Sequence, residues 1–262
     1  MSPAETSECT IEDCDIFDFM ARYVGLSVLH PGGFSATEKL ADECKIDRQA
    51  RVLDIACGKG TSAIFLAQKY GCRVEGLDIS EDLIKEAKDF ARLKGMSDTV
   101  NFRVGDALDL PYSENEFDVA VSQAMLILVS DKRKAIKEAK RVVKPGGYAG
   151  WLELSWKKHS TKKILEAVSN EICAYCMTNV LTYENWEKLF HEAGFSQVKV
   201  IQSPMTMSCM KGMIQDEGFA NAIRVMAKYL FNGRVRKRMK NLNTFINSNP
   251  QYFGYGIYIT KK

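Results

Sequence analysis

Val52-Leu53-Asp54-Ile55-Ala56-Cys57-Gly58-Lys59-Gly60 runs directly into Thr61 to Tyr70, whose apolar residues have helical spacing. A short apolar run, a glycine turn and an amphipathic helix predict a strand–turn–helix unit. Such a unit makes a nucleotide site because glycines let a ligand approach the backbone closely. The helix N-terminus adds unpaired N–H groups. Gly58-x-Gly60-x-x-Ala63 fits the dinucleotide pattern G-x-G-x-x-G/A, which alone is a weak signal.

The pattern repeats downstream. Arg73 to Asp78 reads as a second strand, and Ser80 caps a helix to Lys94, stopped by Gly95. Val100 to Val104 and Phe117 to Val121 read as strands three and four. A helix from Lys132 to Val142 ends at Lys144-Pro145-Gly146-Gly147, and Tyr148 to Leu154 is a fifth strand. Strands alternating with helices imply βαβ units and a parallel sheet covered on both faces. Upstream, Asp15 to Tyr23 has helical spacing, and a Gly/Pro break follows at His30-Pro31-Gly32-Gly33. Ser35, with Glu38 three residues on, predicts a capping box and a helix to about Cys44. Beyond the fifth strand, Thr161 to Val180, Tyr183 to Ala193 and most of 211–247 read as helix. Gln197 to Ile201 and Tyr252 to Thr260 read as strands.

The chain has 262 residues, 46% of them hydrophobic and 26% charged, with a net charge of +3. That is an ordinary globular composition, not a collagen, a rod or a disordered tail. The near-neutral balance gives no case for a dedicated nucleic-acid binder. The most apolar stretch, Val119 to Val129, is too short to span a membrane. The N-terminal MSPAETSECTIEDCD is acidic and lacks an apolar h-region, so no signal peptide is read there. Eight scattered cysteines suit reduced thiols and a cytoplasmic location. Cys173-x-x-Cys176 lacks the second pair that a zinc site requires, so no metal is expected.

Three carboxylates refine the ligand. Asp54 precedes the turn, where it suits a cationic ammonium better than a pyrophosphate. Asp78 ends the second strand and can accept hydrogen bonds from both ribose hydroxyls. Asp106 follows the third strand and can accept from an adenine amine, with the Ala107 N–H as a donor. A ligand with an ammonium, a ribose and an adenine but no phosphate matches S-adenosylmethionine better than NAD.

The chain resembles the class I S-adenosylmethionine-dependent methyltransferases through VLDIACGKG (52–60), EGLDIS (75–80), VGDALDLPYSENEFDVAVSQ (104–123) and VVKPGG (142–147). The first glycine of the family's turn is Ala56 here. The resemblance implies an α/β, Rossmann-like fold: a seven-stranded, mostly parallel sheet with an antiparallel last strand. It implies a helical lid over 1–45, a cofactor-binding core over 46–155, and helical insertions with the final strands over 156–262. The cofactor contacts it implies are His30, Asp54, Ala56, Gly58, Gly60, Asp78, Ile79, Asp106, Ala107 and Gln123. The flanking parts look most like the small-molecule branch, which includes phosphoethanolamine, sarcosine and quinone methyltransferases. In the phosphoethanolamine enzymes a Tyr–His pair serves catalysis, the His after the fourth strand. Ser122 to Val129 holds no His, so either the substrate differs or the base lies elsewhere.

Methyl transfer from a sulfonium is an in-line displacement, so alignment can supply much of the catalysis. Tyr23, His30 and Glu153 are the candidate catalytic groups, each weighed against a packing, turn or solvated role. Glu153, read as the end of the fifth strand, could recognise a cationic substrate or act as base. His159 and His191 read as surface residues. Met205, Met207, Cys209, Met210 and Met213 could line a soft substrate pocket, with core packing the stronger alternative. The basic run 234–240 reads as a solvated face before an anion or RNA site. Trp151, Trp156, Tyr252, Phe253, Tyr255 and Tyr258 could form an aromatic wall that attracts an amine. The reading is a methyltransferase acting on a small-molecule acceptor, with N-methylation of a small amine leading. C-methylation of a quinone-like lipid and S-methylation of a thiol or arsenic species follow. The rival classes are a nicotinamide-dependent oxidoreductase and a non-catalytic cofactor-binding or RNA-associated protein. No nucleic acid or membrane insertion is expected, and the chain is expected to be a monomer or homodimer.

Overall fold

The computed structural model describes residues 15–171, 179–205 and 210–262, with side chains for all of these except 169–171, 210 and 211. Cys173, Cys176, Met207 and Cys209 lie outside the described residues, as does the side chain of Met210.

Eight strands form one sheet: β1 (Arg51–Ile55), β2 (Arg73–Asp78), β3 (Val100–Val104), β4 (Phe117–Gln123), β5 (Val143–Trp156), β6 (Leu181–Thr182), β7 (Gln197–Pro204) and β8 (Phe253–Lys261). Their order is β3-β2-β1-β4-β5-β8-β7, with β6 paired to β5. The pairs from β3 to β5 are parallel, and β8 runs antiparallel between β5 and β7. The expected seven strands thus become eight, because the two-residue β6 is too short to leave a sequence pattern.

Alternation along β1 builds the two layers. Leu53 and Ile55 join the core on one face, with α5 (Lys132–Val142) and α7 (Tyr183–Glu192). Val52 joins the core on the other, with α2 (Gly33–Glu43), α3 (Thr61–Tyr70) and α4 (Glu81–Leu93). Ser80 caps α4 by accepting from the Leu83 N–H, as its sequence position predicts. Ser35 does not cap α2, which begins two residues earlier at Gly33. The Phe34 N–H there is taken by Asp216, 182 residues away, at 2.8 Å. A distant carboxylate has displaced the local cap.

The N-terminal segment is not a plain α-helix. α1 (Ile16–Asp18) passes into a π-helix, Phe19–Val24, closed by Gly25 in the left-handed region. The N–H groups of Gly25 and Leu26 both donate to the Met20 carbonyl. The widened turn rotates the later side chains away from the positions that 3.6-residue spacing predicts.

α6 (Lys162–Glu171) follows β5. α8 (Met210–Phe231), kinked at Gly218, and α9 (Gly233–Ser248) stand between β7 and β8. The aromatic wall read from the sequence is mostly core. Trp151, Trp156, Phe253 and Tyr258 are buried, with Trp151 stacked on Phe190 and Trp156 against Phe253. Among the described residues, no helix is long and apolar enough to cross a membrane.

Candidate active site

β1, β2 and β4 end side by side, so parallel pairing alone brings Asp54, Asp78 and Gln123 to one edge of the sheet. A cavity of about 600 Å³ opens there. Of the residues read as site candidates, His30, Asp54, Ala56, Gly58, Asp78 and Gln123 line it. Asp78 accepts from the Gly58 N–H at 2.9 Å and from the Ser80 N–H at 3.0 Å, tying the glycine turn to the end of β2. Gly58 has φ +54°, and a Cβ built there would meet nothing within 4 Å. The turn therefore leaves open room above its backbone. A Cβ at Gly60 would instead run into the Phe102 ring, so that glycine serves packing.

Asp54 is buried, and its Oδ2 has no hydrogen-bond partner. Burial, then the charge of Asp78, pushes its carboxyl up to about 7. Of the other charged groups on the wall, Arg22 pairs with Asp18 at 3.0 Å and Lys59 with Glu86 at 2.9 Å. Asp54, Asp78 and Asp82 have no such pair among the described residues, so the cavity carries an excess of acid. A cationic ligand without phosphates relieves that repulsion, and a dinucleotide increases it.

His30 sits beside the glycine turn. Its Nε2 lies 3.3 Å from Thr37 Oγ1 and 3.4 Å from Ser62 Oγ. Thr37 in turn donates to Gln123 Oε1 at 2.8 Å. Burial lowers His30 to about 4, so the ring is neutral at pH 7. A neutral ring does not repel a cation in the same cavity.

Other candidates lie elsewhere. Tyr23 lines neither this cavity nor the second; it is half-buried and stacks on Phe19 against the core. Ile79 is 72% exposed. Asp106 is exposed and turns back to accept from its own Leu108 N–H at 2.8 Å, and neither it nor Ala107 is on the cavity wall. Glu153 is no solvated strand end, because β5 continues to Trp156 and buries it fully. Its Oε1 accepts from the N–H groups of Met125 and Leu126, at 3.1 and 2.9 Å. Its Oε2 is unpartnered, and burial pushes the carboxyl up to about 8. Glu153 thus holds the loop after β4, whose Ala124, Met125 and Leu128 line the cavity. His159 and His191 are exposed.

A second cavity, of about 530 Å³, adjoins the first. Phe17, Leu26, Leu29 and His30 line both. Met20, Met205, Met213, Met226 and Met239 line the second; Met205 and Met213 pack against the core, as expected, and also face this cavity. Asp216 and Glu217 of α8 stand on its wall. Glu217 clasps the segment leading to His30. Its carboxylate accepts from the Ser27 N–H at 2.8 Å, the Ser27 hydroxyl at 2.7 Å and the Val28 N–H at 3.1 Å. No local sequence pattern marks this clasp, which joins residues 190 positions apart.

Comparison with known proteins decides the family. A family model described as "Methyltransferase domain" matches residues 46–194. The chain belongs to the S-adenosylmethionine-dependent methyltransferases. An uncharacterized protein of Haemophilus influenzae is 33% identical over 211 residues, 80% of this chain and 83% of that one. Norajmaline N-methyltransferase of Rauvolfia serpentina is 31% identical over 144 residues, 52% of this chain and 49% of that enzyme. The crystal structure of an S-adenosylmethionine-dependent methyltransferase from Thiobacillus denitrificans, in complex with S-adenosylhomocysteine, superposes with a TM-score of 0.66. That superposition covers 94% of this chain and 99% of the other, at 20% identity. The unpartnered Asp54 oxygen, the open face of Gly58 and the acid excess of this methyltransferase fit the cofactor of its family.

Proposed function

We propose that this methyltransferase holds S-adenosylmethionine in the first cavity and a small acceptor with an apolar body in the second. The observation that carries the reading is the wall shared by an acid-rich and an apolar cavity, with His30 in it. Asp54 takes the ammonium of the cofactor, Asp78 its ribose hydroxyls, and the turn at Ala56 and Gly58 gives its body room. Bound S-adenosylmethionine supplies a methyl group already activated on a sulfonium. The protein's part is alignment and exclusion of water. The N-terminal segment and α8 close over the sheet edge. His30 orients the acceptor through a hydrogen bond while staying neutral beside the sulfonium. Glu153 positions the loop after β4.

The acceptor atom we propose is an amine nitrogen. Asp216 and Glu217 outnumber Lys240 on the wall of the acceptor cavity, which favours a group that carries positive charge after methylation. The N-methyltransferase name of the Rauvolfia relative agrees with this. The methionine lining favours a second reading, C-methylation of a quinone-like ring. Transfer of a labelled methyl group to panels of apolar amines and quinones separates the two by the product formed. Isothermal titration with S-adenosylhomocysteine tests the shared premise. Asp78→Ala is expected to abolish measurable binding, and unchanged affinity in that variant overturns the cofactor assignment. His30→Ala is expected to lower kcat/KM about tenfold, the size of one lost hydrogen bond, while cofactor affinity stays nearly constant.

A further inference from the structure

Half of the large apolar side chains that stand exposed on the described surface belong to α8: Ile214, Phe219, Ile223, Leu230 and Phe231. Phe219 is 70% exposed and Phe231 88%. Phe219, Ile223 and Leu230 follow at i, i+4 and i+11, which places them on one stripe of the helix beyond its kink. A soluble surface rarely gathers its exposed apolar groups this way without a partner.

Charge identifies the partner. Residues 218–248 contain seven lysines and arginines and no aspartate or glutamate, so the remainder of this +3 chain is net −4. Arg224 and Lys237 are exposed on the two helices of this hairpin. A helix with outward phenylalanine and leucine flanked by cations is the signature of a segment lying in the interface of an anionic membrane. A nucleic acid would account for the cations and could stack on a phenylalanine, but it would not account for the exposed Ile223 and Leu230 of the stripe.

We propose that the α8–α9 hairpin docks this enzyme peripherally on an anionic lipid surface, without spanning it. The apolar stripe enters the headgroup boundary, and the cations meet acidic headgroups. Met226 and Tyr229 on α8 line the acceptor cavity, so docking sets that wall of the cavity beside the lipid. The proposal concerns the outer face of α8 and does not depend on which acceptor is methylated.

The test is co-sedimentation of the full chain with vesicles of phosphatidylcholine alone and of phosphatidylcholine with phosphatidylserine. Binding is expected only to the anionic vesicles, weakening as salt rises. Phe219→Ser with Phe231→Ser, which changes no charge, is expected to weaken it about tenfold. Arg224→Glu with Lys237→Glu is expected to weaken it at least as much. Thermal unfolding of each variant reports folding, and S-adenosylhomocysteine titration tests the cofactor reading separately. A folded protein that ignores anionic vesicles overturns the proposal, whether or not it binds S-adenosylhomocysteine. So does binding unaffected by the phenylalanine pair, with comparable affinity for single-stranded RNA, which would mark a general polyanion site. A stable homodimer in sedimentation velocity that is broken by the same pair also overturns it, since the stripe would then be a subunit contact.

Discussion

Ala56 takes φ 62°, a left-handed conformation that costs a residue with a Cβ roughly 1–2 kcal/mol. The chain turns sharply here from the end of β1, in a conformation that glycine adopts without this cost. Ala56→Gly is therefore expected to stabilise the fold by up to about 1 kcal/mol, the relieved strain being partly offset by backbone entropy. Urea unfolding measures this, and a loss of stability would show that the alanine methyl packs better than its conformation costs. Asp54 gives the residue scale its pH dependence. Its carboxyl lies at 3.8 when unperturbed and at about 7 in the fold, so the folded state holds a proton that the unfolded chain has released. Its contribution is fully present below about pH 4 and is lost as pH rises through 7. His30 acts in the opposite sense, because its lowered value costs stability as pH falls from 6.5 to 4. Subtracting Asp54→Asn from the parent isolates the aspartate. The difference is expected to decline by up to about 4 kcal/mol across the window. A flat difference would mean that Asp54 is solvated in the free enzyme.

At the scale of elements, α8 acts as a clasp. Asp216 takes the Phe34 N–H in the first turn of α2, and Glu217 takes those of Ser27 and Val28 while Asn221 donates to Glu217 at 2.6 Å. Gly218, with φ 72° and ψ 161°, supplies the kink directly after the carboxylate pair. Glu217→Ala leaves the Ser27 and Val28 amides without their acceptor, a cost of about 1–3 kcal/mol confined to this segment. Hydrogen exchange at those two amides is expected to speed up strongly, and exchange within β1 and β4 to stay as it was. Equal acceleration in both places would show that the clasp supports the whole fold. This contact also shows where the sequence stops being legible. Strands β1 to β5 and the helices between them could be read because each is a local apolar run closed by a glycine or a cap. The meeting of Asp54, Asp78 and Gln123 could be read because parallel strands deliver their ends to one edge. The early start of α2 depends on Asp216 and the burial of Glu153 on the loop after β4, both far away in the chain, while the π-turn that leaves Tyr23 against the core breaks the 3.6-residue period itself. Local periodicity carries no trace of them. Asp106 stands off the wall because a carboxylate after a strand can cap its own turn, here by accepting from the Leu108 N–H.

The whole molecule depends on its last strand. β8 closes a gap between β5 and β7, pairing along nine residues from Trp156↔Phe253 to Tyr148↔Lys261 on one side and along eight on the other. Lys262 adds bonds from its Nζ to the Val143 carbonyl at 2.8 Å and to Asn115 Oδ1 at 2.8 Å. No residue of β8 lines the first cavity, whose walls run only from Phe17 to Leu128. Yet Tyr258 is fully buried against Trp186 and Phe190, and Ile257 and Ile259 complete the core on the opposite face. Without β8 the inner edge of β5 loses its ladder, β7 has no strand to pair with, and both cores open. Polar groups left unpaired along such an edge are costly wherever water is excluded. A chain ending at Gln251 is therefore expected to show no cooperative thermal transition and no affinity for S-adenosylhomocysteine, although every residue of the first cavity is present. Retained binding would mean that the β3-to-β5 half folds as an independent unit and that the C-terminal strands serve the acceptor side alone.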